Sequence, residues 1–292
     1  MCAFTLSPSL YKPPLVAGKK GGSTMDFIKD PLTHPASEEL VFQKGPLSRV
    51  IAQIRFPAQD SISDQDFVRP FGELLQATYP VVKPVQNKGV VIGPQGPIET
   101  RVDTSWRFMT PDDSWTVTLA REFIALETQA YEGQEDFLER LESLLGMFQR
   151  HIGASSVDRI GVRYVWRLGA EDLEELTTLV RPDLTPIYLT NFSEQIRLSM
   201  SEHEFELPDQ HGRLRARWGV IPPGGTLDPA AIPPIGAPTW LLDLDGYALE
   251  SRALDVESVV DEVRDFCERL HVFLLWSVTD AFVAKYSSVE PV

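Results

Sequence analysis

The sequence predicts an α+β fold, antiparallel sheet with long helices on one face, and three observations predict it. The stretch 158–168, DRIGVRYVWRL, alternates strictly, so Arg159, Arg163 and Arg167 share one strand side while Ile160, Val162, Tyr164, Trp166 and Leu168 share the other. Residues 134–152 place Phe137, Leu141, Leu144, Leu145 and Phe148 on one helical face, with Gly153 as a stop. The order strand, helix, antiparallel meander, long helix occurs twice, from Ser48 and again from Val157. This divides the chain into a flexible N-terminal segment 1–45, a first α+β half 46–154 and a second half 155–292, packed as one globular unit.

Taken in order, the first strand is 48–56, SRVIAQIRF, with Arg49, Gln53 and Arg55 on its polar side together with Ile51. A helix follows within 63–79, where Ser63 and Asp66 give a capping signal and Phe67, Phe71, Leu74 and Leu75 form the buried stripe; Pro70 kinks it or delays its start. Residues 81–92 read as an edge strand and the GPQGP of 93–97 as a turn. Strands at 105–109, 115–120 and 123–131 make a meander. After the strand that begins at Val157, residues 171–180 are a short helix ended by Pro182, and strands follow at 194–207, 212–221 and 239–247. Between the last two, PPGGTLDPAAIPPIGAP (222–238) has almost no charge and reads as a long flexible loop with the character of a lid. The region 255–286 is helical, its FLLW apolar on all sides and therefore buried, with a break near Ser277 and Thr279. A duplicated β-α-meander-α unit whose half sheets join would make a saddle, as in the TATA-binding protein. That analogy is one of element order alone.

Composition narrows the classes. The formal net charge is −15, and 43% hydrophobic with 24% charged residues is ordinary for a folded domain. The longest apolar run, 272–276, is far below the ~18 residues of a membrane span. Cys2 and Cys267 are the only cysteines, so no disulfide framework is expected and a reducing cytoplasm is the default. Residues 1–24 carry no acid, and their lysines follow the weak apolar stretch instead of preceding it, which argues against secretion. They read either as an ordinary flexible tail or as translated leader, because Lys19-Lys20-Gly21-Gly22 can be encoded by a purine run resembling a bacterial ribosome-binding site just upstream of Met25. An acidic chain disfavours wrapping of nucleic acid. Tyr131, Tyr164, Trp166 and Trp218 could stack bases, but the last three lie opposite the arginines. Of the 27 cations 19 are arginine, the bidentate type suited to carboxylate or phosphate, although a GC-rich genome gives the same bias.

Several blocks resemble a sporadically distributed bacterial family of uncharacterised proteins: IAQIRFP at 51–57 after Pro46-Leu47, WRF at Trp106, LAREFIALETQAYEG through Tyr131, RIGVRY at 159–164 and LHVFLLWSVTDAF near the end. The likeness covers 46–282, and RIG-aliphatic-RY is its most distinctive block. Val165 stands where that family is associated with asparagine. The resemblance implies a cytoplasmic bacterial protein of patchy occurrence, as for genes of mobile or defence islands.

Three strands carry arginines in register: Arg49 and Arg55; Arg159, Arg163 and Arg167; Arg213, Arg215 and Arg217. Asp243 and Asp245 in WLLDLDGY, and Glu122 and Glu127, supply acids at strand positions. Two readings stay open: a sheet face laced by cross-strand ion pairs, or an Arg-lined concavity for an anionic ligand. Arg55, Arg159, Arg163, Arg167, Arg213, Arg215, Arg217, Asp243 and Asp245 are the candidate ligand-binding residues. His203, Glu204, Glu206 and His211 lack the spacing of a metal set and alternate like a strand, and His151 and His271 read as ordinary surface or core histidines. With no nucleophile elbow and no Gly-rich phosphate loop, no cofactor or metal is expected. The leading expectation is a non-enzymatic binding or regulatory protein that takes a protein partner or a small anionic ligand. An enzyme acting on a nucleotide or phosphate-bearing substrate, using Asp243 and Asp245, is the alternative; a nucleic-acid-binding module comes third.

Overall fold

The computed structural model describes residues 28–33, 35, 39, 40, 42, 45–93, 96–208 and 212–287, with backbone alone along 87–93 and 96–102. The expectations placed on residues 1–24 with Met25, on Pro94 and Gln95 of the turn, and on His211 lie outside the described residues.

In chain order the elements are β1 (Leu47–Arg55), α1 (Gln65–Leu75), β2 (Val81–Gly93), β3 (Gly96–Met109), β4 (Trp115–Ala120), β5 (Phe123–Thr128) and α2 (Gln134–His151). The second half contributes β6 (Ser156–Val157), β7 (Arg159–Leu168), α3 (Ala170–Leu173), α4 (Leu176–Leu179), β8 (Ser199–Glu206), β9 (Arg213–Ile221), β10 (Thr239–Ala248), β11 (Arg252–Ala253), α5 (Val256–Ser277) and α6 (Asp280–Tyr286). Nine strands make one sheet in the order β2-β3-β4-β5-β1-β7-β10-β9-β8, and β6 with β11 forms a separate ribbon. Every pairing is antiparallel.

The strand order has an internal logic. From the central β1/β7 seam outward, each half presents its own first strand, then the last strand of its meander, then the earlier ones in reverse. The first half has one strand more. Each half then sends a long helix, α2 or α5, across the same face, and the two pack against each other. Alternation explains the layering: Val50, Ala52 and Ile54 of β1, Ile160, Val162, Tyr164, Trp166 and Leu168 of β7, and Trp240, Leu242 and Leu244 of β10 all join one buried cluster with the helices. Phe137, Leu141, Leu144, Leu145 and Phe148 of α2 are buried there as the spacing predicts, and Phe148 meets Phe56 at 5.0 Å.

Several boundaries differ from expectation for identifiable reasons. Asp64, not Ser63, caps α1 by accepting from the Asp66 N–H; Phe71 and Leu75 are buried as predicted, but Val68 joins them while Phe67 and Leu74 stay 37% and 43% exposed. Pro70 is accommodated inside the helix. Strand β3 begins at Gly96, nine residues before the predicted one, because its N-terminal arm pairs only with β2. The helix expected over 171–180 divides into α3 and α4, and 193–195 is a short 3-10 turn, so β8 starts at Ser199. The predicted break after Ser277 is present: Val278 bridges to Val180, and the Thr279 hydroxyl accepts from Phe282 N–H to cap α6.

The segment expected to be flexible up to 45 is anchored where it is described. Ile28 is buried against Val272 and Leu275, with Leu40 beside them. The Leu40 N–H donates to His271 Nε2 at 3.2 Å, and Phe42 meets Phe282 edge-on at 5.4 Å. A helix that is apolar on all sides needs cover on its outer side as well. This strap provides it.

Candidate functional site

The sheet face away from the helices carries charge in columns. On β8 it bears Glu202 and Glu204, on β9 Arg213, Arg215 and Arg217, on β10 Asp243 and Asp245, and on β7 Arg159, Arg163 and Arg167. Sign therefore alternates strand by strand, as cross-strand pairing favours. Asp243, 1% exposed, accepts four N–H bonds: Arg163 Nε at 2.7 Å and Nη2 at 3.0 Å, Arg217 Nε at 2.9 Å, and a further contact from Arg217 Nη2. Three of these fall on Oδ2 and one on Oδ1, so the carboxylate is engaged chiefly as the shared acceptor of two guanidiniums. Asp245 accepts from Arg159 Nη2 at 3.1 Å and Arg215 Nη2 at 3.2 Å. Arg159 also lies 4.7 Å from the Tyr247 ring centroid, while the Tyr247 hydroxyl donates to Glu204 and Arg213 sits 3.6 Å from that same acid.

The alternation fails at the central seam. There β7 lies beside β1, whose far side carries Arg49 and Arg55, and Arg55 is directly opposite Arg159. Two cationic columns adjoin, an arrangement that is unfavourable without a counter-charge. Over this seam opens a cavity of about 570 Å³ lined by five guanidiniums, those of Arg55, Arg107, Arg159, Arg163 and Arg215, and by three carboxylates, Glu127, Asp228 and Asp245. A net positive recess in a chain of charge −15 is a local concentration, not a reflection of composition. Its volume is in the range of small-molecule sites.

The 222–238 loop forms one wall and is not the free segment its composition predicts. Ala231 and Ile232 are buried against Val165, Ile221 and Leu241. Arg49 Nη1 donates to Ala230 O at 2.7 Å, Arg167 Nη1 to Pro233 O at 2.9 Å, and Arg163 Nη1 to Asp228 Oδ2 at 2.7 Å. Proline and glycine remove regular structure from this segment but do not remove its apolar residues, which pack on an apolar patch of that face. Burial alone would raise Asp228, yet Arg163 beside it, with the N–H groups of Ala230 and Ala231, holds its carboxyl below the ordinary value. Burial likewise would lower Arg163, but the Asp243 and Asp228 carboxylates hold it above its usual range.

Of the candidate residues, Arg55, Arg159, Arg163, Arg215 and Asp245 line the cavity. Arg217 and Asp243 are locked together beside it. Arg167 is spent on the loop, with Nε and Nη2 unpartnered among the described residues. Arg213 belongs to a separate recess shared with Glu206 and Glu250, where carboxylates outnumber cations. Sequence reasoning missed Arg107 and Asp228. The first had a signal, since Trp106 and Phe108 are buried and Arg107 between them must point outward. Asp228 had none. His203 stacks on Trp218 at 4.7 Å, and among the described residues no His, Cys, Asp and Glu group could hold a metal.

Gly161 accounts for part of the RIGVRY block. A Cβ there would lie 2.6 Å from Arg159 Nη1 and 3.0 Å from its Cζ, so only glycine lets that guanidinium lie flat along the strand toward Asp245. In Gly161→Ala the flexible Arg159 head moves aside. We expect a loss of no more than about 1 kcal/mol, read by urea unfolding, together with weaker anion binding. An unchanged Arg159 environment, followed by its Nε–Hε NMR resonance, would remove this account.

No protein-family model matches the chain, and no curated protein matches it. Fold and site define its class as an α+β protein with one nine-stranded antiparallel sheet, helices on one face and a charged, loop-walled recess on the other. No helix among the described residues is long and apolar enough to cross a membrane.

Proposed function

We propose that this chain is a binding protein whose loop-walled recess at the β1/β7 seam takes a small anionic ligand. The observation that carries the reading is the doubled arginine column, Arg55 opposite Arg159, opening onto the cavity. A ligand's oxygens would add counter-charge where Arg55 has only the exposed Glu122 beside it and Arg159 shares Asp245 with Arg215, and planar guanidiniums suit carboxylate or phosphate. The partial enclosure by Asp228, Ala230 and Ala231 favours a small molecule over a flat protein partner. We extend the reading, on the RIGVRY resemblance, to a regulatory role in a bacterial cytoplasm, at a mobile or defence locus.

Calorimetric titration at low ionic strength with inorganic pyrophosphate and with citrate tests it, using Arg55→Gln as the variant. Arg55 is 46% exposed and, among the described residues, its ion pair is with Glu122, itself 48% exposed, at 3.4 Å. Such a pair contributes at most about 1 kcal/mol to folding, so Tm should stay while affinity falls about tenfold or more. If neither anion binds the wild type, or both bind the variant equally well, the reading is wrong.

A further inference from the structure

The cavity has guanidiniums at both ends and a neutral middle, and at the β3 end Arg107 Nη2 already donates to Glu127 Oε1 at 2.8 Å. Register sets its floor: Arg107 of β3 faces Thr118 of β4, Thr118 faces Ala125 of β5, Ala125 faces Gln53 of β1, and Gln53 faces Gly161 of β7. Four small or uncharged residues thus make one row across four strands, with Arg107 at one end and, at the other, Arg159 and Arg215 on Asp245 and Arg163 on Asp228. Gln53, with an amide that can both donate and accept, lies at the centre.

Two details bear on what fits this trough. First, an acidic group is already seated at one end: the Asp228 carboxylate, carried by the loop and not by the sheet, accepts from Arg163 Nη1 at 2.7 Å. Second, the Nε groups of Arg107 and Arg215, at opposite ends, are shielded and have no partner among the described residues, a state that native structures rarely leave unexplained. From β3 to β7 there are four strand spacings, about 19 Å at the Cα level; Arg107 leans inward over β5 toward Glu127, which shortens this to on the order of 12 Å between anchoring heads.

We propose that the ligand is an elongated bis-acid lying across the strands, one acidic end on Arg107 and the other on Arg163, in the place that the Asp228 carboxylate now holds. This rests on reading the recess as an anion site. The middle of the ligand runs over Ala125 and Gln53, flanked by Phe123, Ile51 and the loop's Ala230. Binding releases Asp228 from Arg163, so the loop registers occupancy.

The test compares acids of matched length. Sebacate should bind about tenfold or more tightly than decanoate, because its second carboxylate gains charge-assisted hydrogen bonds that the mono-acid lacks, and more tightly than succinate, which is too short to reach both ends. Arg107→Gln should erase the sebacate advantage and leave decanoate unchanged. In the wild type, sebacate should speed hydrogen exchange at the Ile232 amide, which bonds to Asp228 O at 2.7 Å, and Asp228→Asn should bind sebacate more tightly because no internal carboxylate competes. Equal affinity for sebacate and decanoate, an advantage that survives Arg107→Gln, or unaltered exchange at Ile232 overturns the bis-acid proposal. The broader anion site then stands if pyrophosphate or citrate still binds in an Arg55-dependent way, and falls with it if neither does.

Discussion

Asp243→Ala should lower the stability of this protein by about 3–5 kcal/mol, the cost of removing one partner from a buried ion cluster. The carboxylate is 1% exposed and is the shared acceptor for Arg163 and Arg217, each only 14% exposed at the side chain. With it gone, two guanidiniums remain desolvated, and only Asp228 still answers one of them. The loss should exceed that of any exposed pair on the same face, such as Arg213 with Glu204. A companion triple substitution, Asp243→Leu with Arg163→Met and Arg217→Met, should recover much of the deficit, since the one charge it leaves without its partner, Asp228, is 35% exposed. Urea unfolding of the single and triple variants decides: a single-variant loss below about 1 kcal/mol would mean that the lattice is decoration.

The second large effect is alkaline. On the helix side of the sheet Tyr164 OH and Tyr131 OH are 2.8 Å apart, and Tyr131 donates to Glu39 Oε1 at 2.7 Å. Cys267 joins them: burial pushes its thiol up from 9.0 to about 12. Burial, with the neighbouring Cys267, holds both tyrosines above their ordinary 10.0 as well. The folded state therefore keeps protons that the unfolded chain releases. Stability is fully present below pH 9.0, and it falls as pH rises from there toward about 12, each lagging group costing about 1.4 kcal/mol per pH unit. Several groups acting together can exhaust the ~5–15 kcal/mol available to a typical domain. Cys267→Ala should reduce the slope of unfolding free energy against pH by about one proton, and a slope that is flat above pH 9.0 would sink the account.

Much of the architecture was legible because alternation and helical spacing are local. The alternation at 158–168 and the five apolar positions of α2 each specify a face from a handful of neighbouring residues. The joining of two half sheets under two long helices was legible from the repeated plan, but the order of strands within the sheet was not. The site was legible by parts and not as a whole. Arg55 and Arg159 were both visible, but that they stand opposite each other depends on a pairing between residues more than a hundred positions apart. The loop misled for a physical reason: its proline and glycine content describes its backbone, whereas its position is set by Ala231, Ile232 and three arginines from two adjacent strands. Phe67 and Leu74 show the same limit, since the spacing places Phe71 and Leu75 correctly but does not choose between Phe67 and its buried neighbour Val68.

The β1/β7 seam is also the boundary between the halves. Arg55 and Arg107 come from one, Arg159, Arg163 and Arg215 from the other, and so does the loop that walls the recess. Neither half contains the site alone. An anion bound there would be held by both at once, so its binding free energy would act as cohesion between them, and occupancy would be felt as mechanical resistance to parting the sheet along its middle.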